Sequence, residues 1–158
     1  MPRLCTPSEV QDWLDQLPVG GAIPESSRLR RERRADRQYF EDETPRKLAA
    51  LAPQSIRWLL QLGTDDSSGE TMLVIHEHGI WESDEFRPLF GLLRSDTASV
   101  EEADLRPGQI FPPAESSRLE EALWLSMCFG WGVRIYARNA ARFIQTDHDG
   151  HLWRVDLA

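Results

Sequence analysis

The side chains best suited to chemistry fall in two short clusters. His76-Glu77-His78 places two imidazoles at i and i+2, on one face of a strand, where both can aim at one ion. Asp147-His148-Asp149-Gly150-His151 holds the other two histidines of the chain. A centre built from His76, His78, His148 and Asp149 would hold zinc or another divalent metal and activate a water for hydrolysis. It requires the second cluster to fold back beside the first, which spacing alone does not dictate. The competing reading is a polar strand end and a polar hairpin tip, with no cofactor at all, because histidines near turns are ordinary surface residues.

A second kind of chemistry is recognition. Trp81 stands among Glu82, Asp84 and Glu85. An aromatic flanked by carboxylates suits an anchor in an electrostatic protein interface, and equally a core tryptophan at a strand end. Cys128 could be a nucleophile, but its apolar helical surroundings favour a buried structural role. The chain has no Gly-x-Ser-x-Gly, P-loop or dinucleotide fingerprint, so no catalytic residue is assigned.

Charge narrows the choice of partner. The net charge is −8 over 158 residues. Residues 28–37 hold six arginines against Glu32 and Asp36, a local +4 that leaves −12 on the remainder. Residues 64–120 hold thirteen acids against four arginines. Such a body repels nucleic acid at long range and attracts basic proteins, mainly by raising association rates; it also simply favours solubility. The Arg-rich stretch could act as a nucleic-acid arm, but only Tyr39 and Phe40 offer rings to stack on a base. Residues 18–43 therefore read as a flexible, solvated segment within a single domain spanning 1–158. Cys5 and Cys128 build neither a disulfide framework nor a metal pair. No apolar run approaches the length of a membrane span, and the N-terminus lacks a signal-peptide core. A cytoplasmic protein with no membrane association is expected.

The elements that must position these residues are partly explicit. Thr6-Pro7-Ser8-Glu9 predicts a capping box opening a first helix, with Val10, Trp13, Leu14 and Leu17 as its apolar stripe. Thr44-Pro45 opens a second helix, which Pro53 is expected to break or kink. Thr71–Ile75 reads as an interior strand. Residues 89–93 leave strand and helix open, with strand favoured, and 95–115 read as a turn-rich connection with Ile110 and Phe111 tucked in as a plug. Ser117 with Glu120 predicts a capping box for a helix over 117–129, apolar nearly all round and stopped by Gly130. Val133, Ile135 and Ala137 alternate as a strand. Residues 142–146 and 152–155 pair as a hairpin through Asp147-His148-Asp149-Gly150. The expected fold is α+β: an antiparallel sheet of four or five strands packed against the buried helix 117–129, with N-terminal helices.

Several stretches together resemble an uncharacterised bacterial family. The family's Trp-Pro-Ser-Ser-Glu motif is matched by Trp81-Glu82-Ser83-Asp84-Glu85, running on to Leu89-Phe90-Gly91-Leu92-Leu93-Arg94. Its Pro-Gly-His-Leu-Phe, Gly-Trp-Asp and Ser-His-Asp-Glu elements are matched by Pro107–Phe111, Gly130-Trp131-Gly132 and Thr146–Asp149. The likeness covers about residues 70–158, with Glu82 in place of Pro, Gln109 of His and Gly132 of Asp. It implies a bacterial protein and no particular reaction. The reading that follows is a small acidic binding protein, of the kind that caps a basic partner such as a toxin as an immunity-like inhibitor. The alternative is the metal-dependent hydrolase.

Overall fold

The computed structural model describes residues 3–17, 35–40, 43–60, 69–77, 105–138 and 142–156. Within them lie seven strands, three α-helices and one 3-10 turn: β1 (Arg3–Cys5), α1 (Pro7–Asp15), β2 (Ala35–Tyr39), α2 (Pro45–Leu60), β3 (Thr71–Glu77), β4 (Gly108–Phe111), the turn Pro113–Glu115, α3 (Ser116–Cys128), β5 (Gly132–Ala137), β6 (Arg142–Thr146) and β7 (His151–Asp156). The strands form one open sheet in the order β1-β4-β3-β5-β6-β7-β2, every neighbour antiparallel. The architecture is α+β, as the hydrophobic patterning implies.

Alternation along the strands splits the core into two layers. On one face, Leu73, Ile75, Phe111, Val133, Ile135, Ile144 and Leu152 meet α2 and α3 through Leu48, Leu51, Ile56, Leu59, Leu119 and Leu123. On the other face, Met72, Ile110, Tyr136, Phe143, Trp153 and Val155 pack with Val10, Trp13 and Leu17. Helix α1 docks very close to the sheet. A Cβ on Gly108 would collide with Val10 Cγ2 and stand 3.1 Å from Met72 Sδ and 3.2 Å from Cys5 Cβ, so only glycine fits at that crossing.

Seven strands exceed the four or five expected, and three of the seven explain the difference. β1 is three residues long. β4 is buried on both faces and bounded by Pro107 and Pro112, so its four residues resemble a plug more than an alternating strand. β2 lies within the Arg-rich stretch, where Asp36, Arg37, Gln38 and Tyr39 are all exposed and no apolar alternation marks the edge. The rest of that stretch, 18–34 and 41–42, lies outside the described residues, as do 78–104.

Local chemistry accounts for the helix ends. Thr6 Oγ1 accepts from the Glu9 N–H (3.3 Å) while Glu9 Oε1 accepts from the Thr6 N–H (3.2 Å), the expected capping box. Helix α2 runs unbroken through Pro53, so of the expected break or kink the break does not occur. The carbonyl that Pro53 leaves without an intrahelical donor belongs to exposed Ala49, where water can serve it. The Ser117–Glu120 capping box is absent. The turn Pro113–Glu115 feeds straight into α3, so Ser117 is already inside the helix, whose N-cap Glu115 makes no side-chain cap. The other end behaves as expected: Gly130 has φ 68°, its N–H donates to Met127 O (3.4 Å), and the Trp131 N–H reaches Ser126 O (2.9 Å).

Two arginines fasten helices to the sheet, and a tryptophan fastens one helix to another. Arg138 bonds Glu70 Oε2 (2.5 Å) and Gln16 Oε1 (2.7 Å) and lies over the Trp13 ring. Arg142 donates to the Trp58 carbonyl (2.9 Å), sits 3.3 Å from Asp156 Oδ2 and covers the Trp58 ring at 4.6 Å. Trp124 Nε1 donates to Pro45 O (2.9 Å), joining α3 to the start of α2.

Candidate functional site

The hairpin tip carries His148 and Asp149 of the sequence-derived site, and its geometry explains its residues. Asp147 Oδ1 accepts from the backbone N–H groups of Asp149 and His151, both at 3.0 Å. Asp147 Oδ2 accepts from Trp153 Nε1 (3.3 Å), and His151 Nδ1 lies 3.4 Å from Oδ1. This carboxylate is a turn anchor, occupied by the tip it shapes. His148 and Asp149 point outward, each more than half exposed, with Nε2 and Oδ1 3.4 Å apart. Gly150 supplies the positive φ (81°) that closes the turn.

His76 stands at the other cluster, exposed, where a β-bulge shifts the register between β3 and β5 from Ile75 to Glu77. Glu77 pairs with Gly132, and continuing the β5–β6 register sets Gly132 opposite Asp147. The two clusters therefore share one end of the sheet, as a metal centre would require, with β5 standing between β3 and the hairpin strand β6. Two strand spacings amount to roughly 10 Å between the backbones. Among the described residues no three His, Cys, Asp or Glu stand together as a ligand group. His78, Trp81, Glu82, Asp84 and Glu85 lie outside the described residues.

Beside the hairpin tip is a feature that sequence reasoning missed: a cleft of about 340 Å³ where β2, α2, α3 and the β6–β7 turn converge. Phe40, Pro45 and Leu48 form one wall, Met127, Cys128, Phe129 and Gly130 the second, and His148 with Gly150 the floor of the turn. The Phe40 N–H donates to Gly150 O (2.7 Å) and the Glu43 N–H to Phe40 O (2.9 Å), fixing the first wall to the hairpin. Glu43 also lines the cleft, its carboxylate 3.1 Å from Lys47 Nζ. Three segments distant in sequence meet here, and no local motif announces such a meeting.

The cleft is suited to holding an apolar group. Burial pushes the Cys128 thiol above its ordinary pKa, so it stays protonated at neutral pH and is a poor nucleophile. Cys5 is pushed the same way by burial, and the nearby Arg3 only partly offsets it. His148 leans on Asp149 at the rim.

Charge differs between helices α1 and α2, which flank the sheet, and Arg3 already pairs with Glu9 at 3.0 Å. Exposed Glu9, Asp12 and Asp15 give α1 three acids and no base, whereas α2 carries Arg46, Lys47 and Arg57 and no acid. Glu9 is held below the ordinary carboxylate pKa, first by its backbone and side-chain bonds to Thr6 and then by Arg3. No described helix is long and apolar enough to cross a membrane. Compared with protein-family models, with curated proteins and with solved structures, the chain finds no match.

Proposed function

We propose that the protein is a binding protein that captures a basic protein partner, in the manner of an immunity-like inhibitor covering a toxin's positive surface. The observation that carries this reading is the acidic outer side of α1, where Asp12 and Asp15 stand exposed beside Glu9 and its partner Arg3. The outward side of α1 holds Glu9, Asp12 and Asp15 with no basic residue in the helix, on a chain of net charge −8. Carboxylates arrayed on a rigid, docked helix raise the encounter rate with a basic protein and suppress acidic competitors. Trp81, with Glu82, Asp84 and Glu85, is the anchor of the interface in this reading, and its partner contacts are desolvated on binding.

Two sets of variants test it. Replacing Glu82, Asp84 and Glu85 by Ala should raise the partner's dissociation constant at least tenfold, mostly through faster dissociation. Replacing Glu9, Asp12 and Asp15 by Asn or Gln should slow association and flatten its salt dependence, leaving dissociation nearly unchanged. Unaltered affinity in the first set would remove the proposed anchor; salt-independent association would remove the steering.

A further inference from the structure

Strand β2 is held to the sheet differently from its neighbours. It closes one end of the strand order and pairs with β7. Asp36, Arg37, Gln38 and Tyr39 are all exposed, so none of these side chains is buried in either core layer. Their recorded contacts are lateral. Asp36 Oδ2 lies 2.9 Å from Arg154 Nη2, and Gln38 Oε1 accepts from the same nitrogen at 3.4 Å. The Arg37 guanidinium stands 5.4 Å from the Trp153 ring, and the Tyr39 ring 5.4 Å from that of His151. All of these partners belong to β7. The next residue is the opposite case: Phe40 is 2% exposed in the core layer beneath α2 and α3, and its N–H donates to Gly150 O (2.7 Å). At the other end of the sheet β1 is anchored by Cys5, which is fully buried with Val10 and Trp13 of α1.

We propose that β2 is a latch: residues 35–39 leave the sheet as one unit, pivoting at Phe40, while the other six strands stay paired. Segments with few buried apolar contacts open far more often than the core they border. Opening here separates exposed side-chain pairs, each weak in water, and solvates a backbone ladder at the rim of the sheet. Val133, Ile135, Ile144 and Leu152, all fully buried, keep their packing. Phe40 keeps its place as well, so the opening stops at a fixed residue and the cleft wall it forms survives. What the latch uncovers is the outer edge of β7. That strand alternates Trp153 and Val155 on one face with Leu152 and Arg154 on the other, and its ladder groups face solvent once β2 has left. β2 is therefore a short, charged guard on an apolar strand that would otherwise form the edge.

Native-state hydrogen exchange of the full chain, resolved amide by amide by NMR, tests the latch. Successive amides of β7 face opposite neighbours, one toward β2 and the next toward β6. Protection should alternate along β7, with the β2-facing amides exchanging at least about a hundredfold faster than the β6-facing ones. Amides of β2 that bond β7 should share the faster rate. Two variants separate local from global opening. Ile144→Val, in the core of β6, should lower protection of β5 and β6 about two- to tenfold and leave β2 unchanged. Asp36→Ala combined with Arg37→Ala removes two lateral contacts and should speed exchange of β2 and the β2-facing amides about three- to tenfold, with β5 and β6 unchanged. Uniform protection along β7 overturns the proposal. So does an Ile144→Val chain in which β2 and β6 lose protection equally, or a double variant that speeds exchange in β6 as much as in β2.

Discussion

Replacing Asp147 by Ala separates a structural carboxylate from a metal ligand. In the native tip two backbone N–H groups donate to Oδ1 at 3.0 Å and the Trp153 indole donates to Oδ2 at 3.3 Å. Hydrogen bonds to a charged acceptor contribute about 1.5–3 kcal/mol each when their loss leaves the partner unsatisfied. The Asp147 side chain is 19% exposed, so water recovers part of what the tip loses. The contributions of one turn also overlap, which sets the net loss at about 2–3 kcal/mol. For a chain of this size that lowers the thermal midpoint by about 4–12 °C. Asp147→Asn retains an acceptor for the two backbone donors but turns an NH2 group toward the indole N–H, and should cost about 1 kcal/mol. Thermal unfolding followed by circular dichroism, with and without EDTA, is the assay. The account requires the same decrement in both. A midpoint within about 1 °C of wild type would refute the reasoning, and a loss seen only without chelator would make Asp147 a metal ligand beside His148 and Asp149 instead.

Other expectations follow from single contacts. Gly108→Ala forces α1 off the sheet at Val10 and should destabilise by about 1–3 kcal/mol, read from urea midpoints at unchanged slope. Thr146→Val removes a buried hydroxyl that accepts from the Val133 N–H (3.1 Å) and donates to Trp131 O (2.8 Å). The Val133 N–H then loses this acceptor and the Trp131 carbonyl this donor, at a cost of about 1–3 kcal/mol. Glu9 has a folded-state pKa below its ordinary value of 4.5, so its contribution is present above the unfolded pKa and lost as pH falls through the folded one. Glu9→Gln should flatten that acid limb of the stability profile, and an unchanged profile would show that the capping box does not form. Alkylation of Cys128 should accelerate as pH rises toward and beyond 9, while Cys5 reacts only on unfolding.

How much of this was legible in the sequence depends on the range of each interaction. The Thr6–Glu9 box, the Gly130 stop and the Asp-Gly hairpin are decided within a few residues, so their signatures stand in the sequence as they do in space. The sheet edges are different. Asp36 to Tyr39 form a strand because β7 offers a ladder to pair with, and their exposed polar side chains carry no period-two signal. β4 is hidden for the opposite reason, since burial on both faces erases alternation and the flanking prolines suggest a loop. Ser117 was a plausible cap until the preceding 3-10 turn absorbed it. The histidine clusters do reach the same end of the sheet, and only the strand order reveals that β5 stands between β3 and the hairpin. The cleft depends on Phe40, residues 43–48, 127–130 and 148–150 meeting in the folded chain, which no linear pattern encodes.

The most direct test of the central claim is capture of the tagged protein from its native cells, with mass spectrometry of what is retained. The account predicts one stoichiometric partner of basic composition, released by raised salt and lost when Glu82, Asp84 and Glu85 are changed to Ala. Retention of no stoichiometric protein, or of an acidic one indifferent to salt, would contradict it.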